Sequence, residues 1–190
     1  MKKIVLPTDF SDNAWNAIFT IFKLYTDVKC QFFIMHAYEP KTLNKLGRKS
    51  QQRLGVIYDS LSEYSTKELD KILKYLITNH ANPNHSFETI SKSATLEEAV
   101  LEMVSTEDID LVVMGTQGAT GAKEIFMGSN TVKVLKKVKN CPILVVPSGY
   151  NFQRLKTVVF PTDFSKSYDK FQLLPLKELA MTWKAKIRIL

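Results

Sequence analysis

The sequence alternates short apolar segments with longer segments in which apolar residues recur at helical spacing. Apolar runs of roughly four to eight residues indicate buried strands, and the longer periodic segments indicate amphipathic helices. Strands that alternate with helices predict an α/β fold, in which right-handed crossovers join parallel strands into one doubly wound sheet. The predicted strands are Lys2–Leu6, Gln31–Tyr38, Ser86–Ile90, Leu111–Met114 and Pro142–Val146.

The predicted helices have recognisable ends. Ser11 and Thr95 carry hydroxyl groups that can cap the first and third helices, because a side-chain oxygen at this position accepts a hydrogen bond from the first turn. The second helix is long and amphipathic and ends near His80, and the last spans about Ser129–Lys139. The segment Pro40–Gly55 has no clear apolar period, so no regular element is predicted there.

A series of glycines follows the fourth predicted strand: Gly115, Gly118 and, after nine intervening residues, Gly128-Ser129. Glycines let the backbone approach a ligand closely, while backbone amides and hydroxyls donate hydrogen bonds to phosphate. The helix that follows would direct its positive amino end to the same point. This strand–loop–helix junction therefore predicts an anion-binding site.

Two motifs carry a resemblance to a known family. The spacing Gly115-x2-Gly118-x9-Gly128-Ser129 resembles the nucleotide-binding signature of universal stress proteins, and Ile4–Ser11 resembles the first strand and turn of that family. The resemblance covers residues 1–147. It implies a Rossmann-like sheet of five strands with order 3-2-1-4-5, an ATP-binding subtype, and a role in the stress response.

The resemblance also implies which residues contact the nucleotide. Asp9 would accept a hydrogen bond from the adenine amino group, with Pro7, Thr8 and Ala37 forming the wall beside the base. Met114 and Gly115 would approach the ribose. The phosphates would lie against Gly118, Gly128, Ser129, Asn130 and Thr131, with Ser129 and Thr131 donating their hydroxyls. Magnesium or manganese would be held mainly through the phosphates, and no metal ligands are assigned.

Several of these residues have structural alternatives. Asp9 could instead accept hydrogen bonds from its own turn, since aspartate commonly does so. His36 is interpreted as a structural residue at the end of a strand rather than as a catalyst. Asn130 stands where the family commonly has a small apolar residue, so phosphate contacts could differ there.

Three functional classes compete on this sequence. The first, and preferred, is an ATP-binding regulatory module that responds to stress and needs no strong catalyst. The second is a slow ATP hydrolase or phosphotransferase; no P-loop sequence occurs and no catalytic residue is assigned, which disfavours an enzyme. The third is a scaffold or dimerisation protein that binds no nucleotide.

A second copy of the opening motif starts near residue 157. The segment Thr157–Ser165 repeats Lys3–Ser11, and Lys184–Leu190 weakly repeats Lys29–Met35. No second glycine series follows. The sequence therefore predicts a tandem organisation, with a nucleotide-binding domain over 1–147, a linker over 148–156 and an incomplete second repeat over 157–190. Pro175 is expected to interrupt the helix of that repeat.

Composition narrows the partners and the compartment. The formal charge is +7 in 190 residues, but the lysines are dispersed and no nucleic-acid motif accompanies them, so neither nucleic acid nor a membrane is expected as a partner. Cys30 and Cys141 have no metal or redox spacing and are interpreted as reduced core thiols of a cytoplasmic protein. The last apolar strand predicts a homodimer, or a pseudo-dimer with the second repeat.

Overall fold

A computed structural model describes residues 1–39, 48–116, 127–165 and 167–190, and for residues 48–56 it describes the backbone alone. The chain divides into two compact units, Met1–Tyr150 and Asn151–Leu190. The described elements of the first unit are β1 (Lys2–Pro7), α1 (Asp12–Leu24), β2 (Cys30–Tyr38), α2 (Arg48–Asn79), β3 (His85–Ser93), α3 (Leu96–Thr106), β4 (Leu111–Gly115), α4 (Ser129–Lys137) and β5 (Ile143–Val146). Those of the second unit are β6 (Thr157–Phe160), α5 (Lys170–Trp183) and β7 (Lys186–Ile189).

The first unit contains a five-stranded parallel sheet with the order β3-β2-β1-β4-β5. In the central strand β1, Val5 lies opposite Phe33 of β2 and Val112 of β4. The predicted α/β class and the strand order implied by the resemblance are both confirmed. Because β1 and β4 are neighbours in the sheet, their carboxyl ends lie side by side although they are distant in sequence.

Helices cover both faces of this sheet. On one face, Phe33 of β2 packs in an apolar cluster with Val100 of α3 and Val134 of α4, and none of the three is more than 3% exposed. Successive side chains of a strand point to opposite faces, so Phe32 lies on the other side. There its ring contacts Phe22 of α1 at a centroid distance of 4.7 Å. Burial on both faces explains why the central strands are almost continuously apolar.

The caps of the first and third helices are confirmed. The Ser11 hydroxyl accepts a hydrogen bond from the backbone N–H of Ala14, and the Thr95 hydroxyl accepts one from the N–H of Glu98. Strand β3 runs beyond the predicted end at Ile90 to Ser93, because it stays paired with β2 along the whole of that strand.

Helix α2 starts earlier than the apolar pattern indicates. It begins at Arg48, so the expectation of no regular element is wrong for residues 48–55; residues 40–47 lie outside the described part of the chain. This first part is rich in arginine, lysine and glutamine, which favour a helix without producing an apolar stripe. Although α2 has 32 residues, neither it nor any other described helix is both long and apolar enough to cross a membrane.

The two cysteines lie in the interior of the first unit. Cys30 at the start of β2 and Cys141 before β5 are both buried and form no disulfide. Burial raises the pKa of each thiol to about 11. Because the thiolate is the reactive form, both groups are inert thiols at neutral pH.

The second unit is a β-α-β unit with a two-stranded parallel sheet of β6 and β7. Asp169 caps α5 in a capping box with Gln172, and the helix continues to Trp183. The expectation that Pro175 interrupts this helix is therefore wrong. A proline removes only one backbone donor from a helix. Here the helix continues past Pro175, after a first turn that the capping box stabilises.

The turn after β6 repeats the turn after β1 in geometry as well as sequence. Phe10 and Phe164 both have positive φ angles, 65° and 56°. The backbone N–H of Ser165 donates to Asp163 Oδ1 at 2.9 Å, as the N–H of Ser11 does to its own aspartate at 3.1 Å. The repeated sequence therefore builds the same local structure twice.

We expect acid to destabilise the first unit through His80 and His85. The two rings stack 5.8 Å apart, and the ring of His80 lies 4.6 Å from that of Phe22. Burial lowers the pKa of both imidazoles, and the neighbouring His85 lowers that of His80 further. The unfolded chain, with an ordinary histidine pKa near 6.5, therefore takes up protons before the folded chain as the pH falls.

The stabilising contribution is complete above pH 6.5 or so and declines below it. Urea unfolding should therefore give a lower midpoint at pH 5.5 than at pH 7.5. His80→Phe keeps an aromatic ring in the stack and removes one titrating group, so the loss between the two pH values should be smaller in this variant. An equal loss in both proteins would contradict the assignment.

Candidate functional site

A cavity of about 310 Å³ lies at the carboxyl ends of β1, β2 and β4, against the amino end of α4. Thirteen residues line it: Pro7, Thr8, Asp9, Ala14, His36, Ala37, Leu96, Met114, Gly115, Gly128, Ser129, Asn130 and Thr131. Ten of them are residues that the sequence predicts for the nucleotide site. The remaining predicted residue, Gly118, lies outside the described residues.

The turn after β1 is fixed by its own hydrogen bonds. The backbone N–H of Thr8 donates to the carbonyl of Met35 at 2.8 Å, and the N–H of Phe10 donates to Thr8 Oγ1 at 3.0 Å. Asp9 Oδ1 accepts from both the N–H and the hydroxyl of Ser11, at 3.1 and 2.5 Å. The structural alternative for Asp9 is thus present. It does not exclude a ligand, because an ionised carboxylate can accept about four hydrogen bonds.

The end of β4 requires a glycine because helix α1 approaches it closely. A Cβ atom on Gly115 would lie 2.8 Å from Asn13 Cγ and 3.1 Å from the backbone oxygen of the same asparagine. Any side chain would therefore push α1 away from the sheet. The close approach also brings α1 to the cavity, where Ala14 contributes a small side chain to the lining.

The amino end of α4 forms another part of the cavity wall. Gly128 occupies the N-cap position with φ −54° and ψ 147°, and no side chain caps the helix. The first amides of an α-helix have no intrahelical acceptor, and they carry a partial positive charge. Ser129 and Asn130 stand in this first turn, so the wall offers backbone donors and polar side chains to an anion.

Thr131 differs from its predicted role. Its side chain is buried, and its hydroxyl donates to the carbonyl oxygen of Gly115 at 2.9 Å. The backbone N–H of Gly128 donates to the carbonyl of Thr116. These two hydrogen bonds tie the start of α4 to the end of β4. The Thr131 hydroxyl therefore connects two elements of the site. The sequence predicted instead that this hydroxyl donates a hydrogen bond to a phosphate.

Three lining residues were not among the predicted ones: Ala14, His36 and Leu96. Ala14 and Leu96 follow the apolar periodicity of their helices, which indicates a packed face and gives no sign that such a face ends at a cavity. His36 directly precedes the predicted Ala37 at the end of β2. Its position after an apolar strand was the available signal for a site residue.

The cavity contains one carboxylate and one imidazole among its described lining residues, Asp9 and His36. Burial lowers the pKa of His36, and the charge of Asp9 partly opposes that shift. Within the described ranges, no group of three or more histidine, cysteine, aspartate or glutamate side chains is arranged to hold a metal ion. The arrangement is suited to binding a small ligand that has both an anionic end and a polar ring.

The first unit is similar to characterised sequences over almost all of its length. Residues 1–147 match the model of the universal stress protein family. Universal stress protein MJ0577 of Methanocaldococcus jannaschii is 27% identical over 158 residues, which cover 76% of this chain and 94% of that protein. Universal stress protein YxiE of Bacillus subtilis is 24% identical over 151 residues, covering 76% of this chain and 98% of that protein.

Solved structures give the same result for the fold. The structure of MJ0577 superposes with a TM-score of 0.62 at 25% identity and covers 79% of this chain and 98% of that chain. A protein of Pseudomonas aeruginosa described as a putative universal stress protein aligns with all of this chain and 60% of its own, with a TM-score of 0.56 and 11% identity. Because the family model matches most of the sequence and the sheet has the same architecture, the chain belongs to the universal stress protein family.

Proposed function

We propose that the first unit binds an adenine nucleotide, ATP in the first instance, and acts as a regulatory module of the stress response. The observation that carries the proposal is one cavity bounded by the uncapped amino end of α4 and by the Pro7–Asp9 turn. A helix amino end suits phosphates, and a fixed carboxylate suits the amino group of a base. The cavity volume falls within the range of small-ligand sites.

A solved relative supports the choice of an adenine nucleotide. One structure with this fold, at a TM-score of 0.51 and 18% identity, is a universal stress protein in complex with cAMP. Adenine is shared by cAMP and ATP, so the two ligands test different parts of the proposal. A cyclic monophosphate would fill the base and sugar positions, whereas a triphosphate would also extend along the amino end of α4.

The first experiment identifies the ligand directly. The purified protein is denatured, the released small molecules are analysed, and the stripped protein is titrated with ATP, AMP and cAMP by calorimetry, with and without magnesium. Released ATP, or ATP binding with micromolar affinity, would establish the nucleotide-binding class. If no nucleotide is released and none binds, the scaffold alternative replaces the proposal.

The same preparation distinguishes a binding module from a slow ATPase. Phosphate transfer needs a base or nucleophile near the phosphates and, as a rule, carboxylates that hold a metal. The one described carboxylate of the cavity, Asp9, belongs to the turn after β1 and is assigned to the base rather than to the phosphates in the proposed arrangement. We therefore propose that magnesium or manganese, when present, is held through phosphate oxygens and water. Release of inorganic phosphate at more than a trace rate would favour the enzyme alternative.

Replacing Asp9 should reduce the preference for adenine. In the Asp9→Ala variant we expect ATP affinity to fall about tenfold or more, since hydrogen bonds to charged groups contribute roughly 1.5–3 kcal/mol. The affinity for GTP should change less, because guanine has a carbonyl oxygen where adenine has its amino group. Calorimetric titration with both nucleotides measures the ratio of the two affinities.

The chain contains a matched control for this variant. Asp163 makes the same two hydrogen bonds to Ser165 in the second unit, with Oδ1 accepting from its N–H and its hydroxyl. Asp163→Ala should therefore damage an equivalent turn and leave nucleotide binding unchanged. An unchanged ratio of ATP to GTP affinity in Asp9→Ala would exclude Asp9 from base recognition.

We also propose, as partners, a second copy of the chain or a second repeat. β5 forms one edge of the sheet in the part of the chain that the structure describes, and Ile143 and Leu144 are only partly buried. An apolar edge strand tends to pair with another strand.

Alignment of the Pseudomonas aeruginosa structure with both units supports a tandem arrangement, in which residues 157–190 start a second repeat. Sedimentation of the purified protein tests the dimer, and fractionation of cells tests the expected cytoplasmic location.

A further inference from the structure

A chain of hydrogen-bonded polar side chains reaches the cavity of the first unit. His36 Nδ1 lies 2.9 Å from Ser65 Oγ, which in turn lies 2.7 Å from Ser91 Oγ. The three residues belong to three different elements, β2, α2 and β3. Ser65 is 0% exposed, whereas the ring of His36 forms part of the cavity wall. Ser91, at the other end, is an exposed residue, so the polar chain passes through one buried hydroxyl, that of Ser65, and ends at the candidate site.

The serine in the middle of this chain is not there for packing. A buried hydroxyl costs free energy unless it is hydrogen bonded, and an alanine at this helix position would avoid that cost. Here the hydroxyl is satisfied on both sides, by His36 and by Ser91. The ring of Phe10 packs on the imidazole at a centroid distance of 4.5 Å. Together these contacts fix the orientation of the His36 ring.

The fixed ring leaves one nitrogen for a ligand. Nδ1 is engaged by Ser65, and among the described residues Nε2 makes no hydrogen bond. A neutral imidazole has one donor and one acceptor nitrogen, so the direction of the Nδ1 bond determines the role of Nε2. Serine hydroxyls both donate and accept, so the Ser65–Ser91 pair can support either direction.

We propose that His36 contacts the base or sugar of the bound nucleotide through Nε2, and that Ser65 and Ser91 set the orientation of its ring. This inference rests on the proposed nucleotide site and adds a contact residue to it. His36 recognises the ligand, while Ser65 is a positioning residue that acts through His36. The neutral imidazole can then match either an acceptor or a donor of the ligand.

The charges around the ring favour this neutral form at physiological pH. Asp9, in the turn after β1, is the ionised group that acts on His36, and it stabilises the imidazolium. Burial of the ring opposes it and is the larger effect, so the pKa of His36 is lowered. From α2 the ring meets the uncharged hydroxyl group of Ser65, which is itself hydrogen bonded to Ser91 of β3, and Tyr38 stacks on the ring at 6.2 Å.

A double-mutant cycle on ATP affinity tests the inference. We expect His36→Phe to weaken ATP binding about tenfold, the effect of one hydrogen bond in a partly buried site. His36→Gln should retain most of the affinity, because the glutamine amide reaches the position of Nε2. Ser65→Ala should weaken binding severalfold in the wild-type background and have no further effect in the His36→Phe background, since Ser65 acts through His36.

The nitrogen chemical shifts of the His36 ring give a second readout. If His36 had only a structural role, these shifts would not respond to ATP. Addition of ATP should shift Nε2 of His36 and leave His80 and His85 unchanged. Ser60 provides a matched control on the same helix, because its exposed hydroxyl donates to the carbonyl of Ile57. Ser60→Ala should bind ATP like the wild type.

The outcomes separate this inference from the proposed function. If the wild type binds ATP and His36→Phe binds it equally well, His36 is not a contact residue, and the nucleotide site stands without it. Additive effects of His36→Phe and Ser65→Ala would overturn the positioning role of Ser65. Failure of the wild type to bind any nucleotide would overturn the proposed function, and this inference with it.

Discussion

Replacing Gly128 with valine is expected to lower the affinity for ATP at least a hundredfold while the first unit stays folded. Gly128 is the N-cap of α4 and lines the cavity, so an isopropyl group there would occupy the space in front of the first-turn amides. Its φ of −54° and ψ of 147° are accessible to any L-residue, so the backbone is not strained by the change. Calorimetric titration with ATP measures the loss.

The fold should tolerate this substitution at a small cost. Valine is a poorer N-cap than glycine, which would reduce stability by about 1 kcal/mol. Lys133→Val is a matched control, because it places the same side chain on the exposed part of the same helix, away from the cavity. The control should bind ATP like the wild type. If Gly128→Val unfolds in urea with a cooperative transition near that of the wild type and binds ATP with unchanged affinity, the amino end of α4 does not contact the phosphates.

The architecture of the first unit was predictable because it depends on strong and local signals. Short apolar runs and helical periodicity identify strands and helices whose faces are buried, as in β1, β4 and α1. Caps such as Ser11 and Thr95 identify two helix starts directly. The sequence gives weaker signals for boundaries that depend on the pairing of two strands or on intrinsic helix propensity. For this reason the end of β3 at Ser93 and the start of α2 at Arg48 were missed.

The candidate site was predictable to the extent that it consists of motifs. The turn at Pro7–Asp9 comes together with Gly115 and with residues 128–131 at one cavity because β1 and β4 are neighbours. The role of each side chain was less accessible. The hydroxyl of Thr131 looks like a phosphate donor in the sequence, and only the fold reveals that Gly115 accepts its hydrogen.

The position of His36 shows most clearly what one sequence leaves out. In the sequence, His36 is a polar residue at the end of an apolar strand, for which a structural role is the simpler interpretation. The fold adds Ser65 from a helix and Ser91 from the adjacent strand, and these residues are 29 and 26 positions apart along the chain. No local pattern links the three residues, because the contact depends on how α2 crosses the sheet.

The largest effect on stability is expected at Val112, in the middle of β4. This residue is 0% exposed and lies between Val5 of β1 and Ile143 of β5. Val112→Asp would bury a carboxylate among apolar side chains that offer no partner, at a cost of several kcal/mol. Because a domain of this size is typically stable by about 5–15 kcal/mol, we expect the first unit to lose its cooperative unfolding transition or to unfold at much lower urea concentrations.

Two further variants separate the effect of a buried charge from the loss of apolar volume. Val112→Ala removes two methyl groups and should cost roughly 1.5–3 kcal/mol, with a cooperative transition that persists. Val159→Asp makes the same chemical change in β6, where the side chain is 50% exposed, and should change stability by about 1 kcal/mol or less. Far-UV circular dichroism during urea unfolding compares all three. If Val112→Asp unfolds at the same urea concentration as Val112→Ala, water reaches this position in the folded state, and β4 is not the buried centre of the sheet.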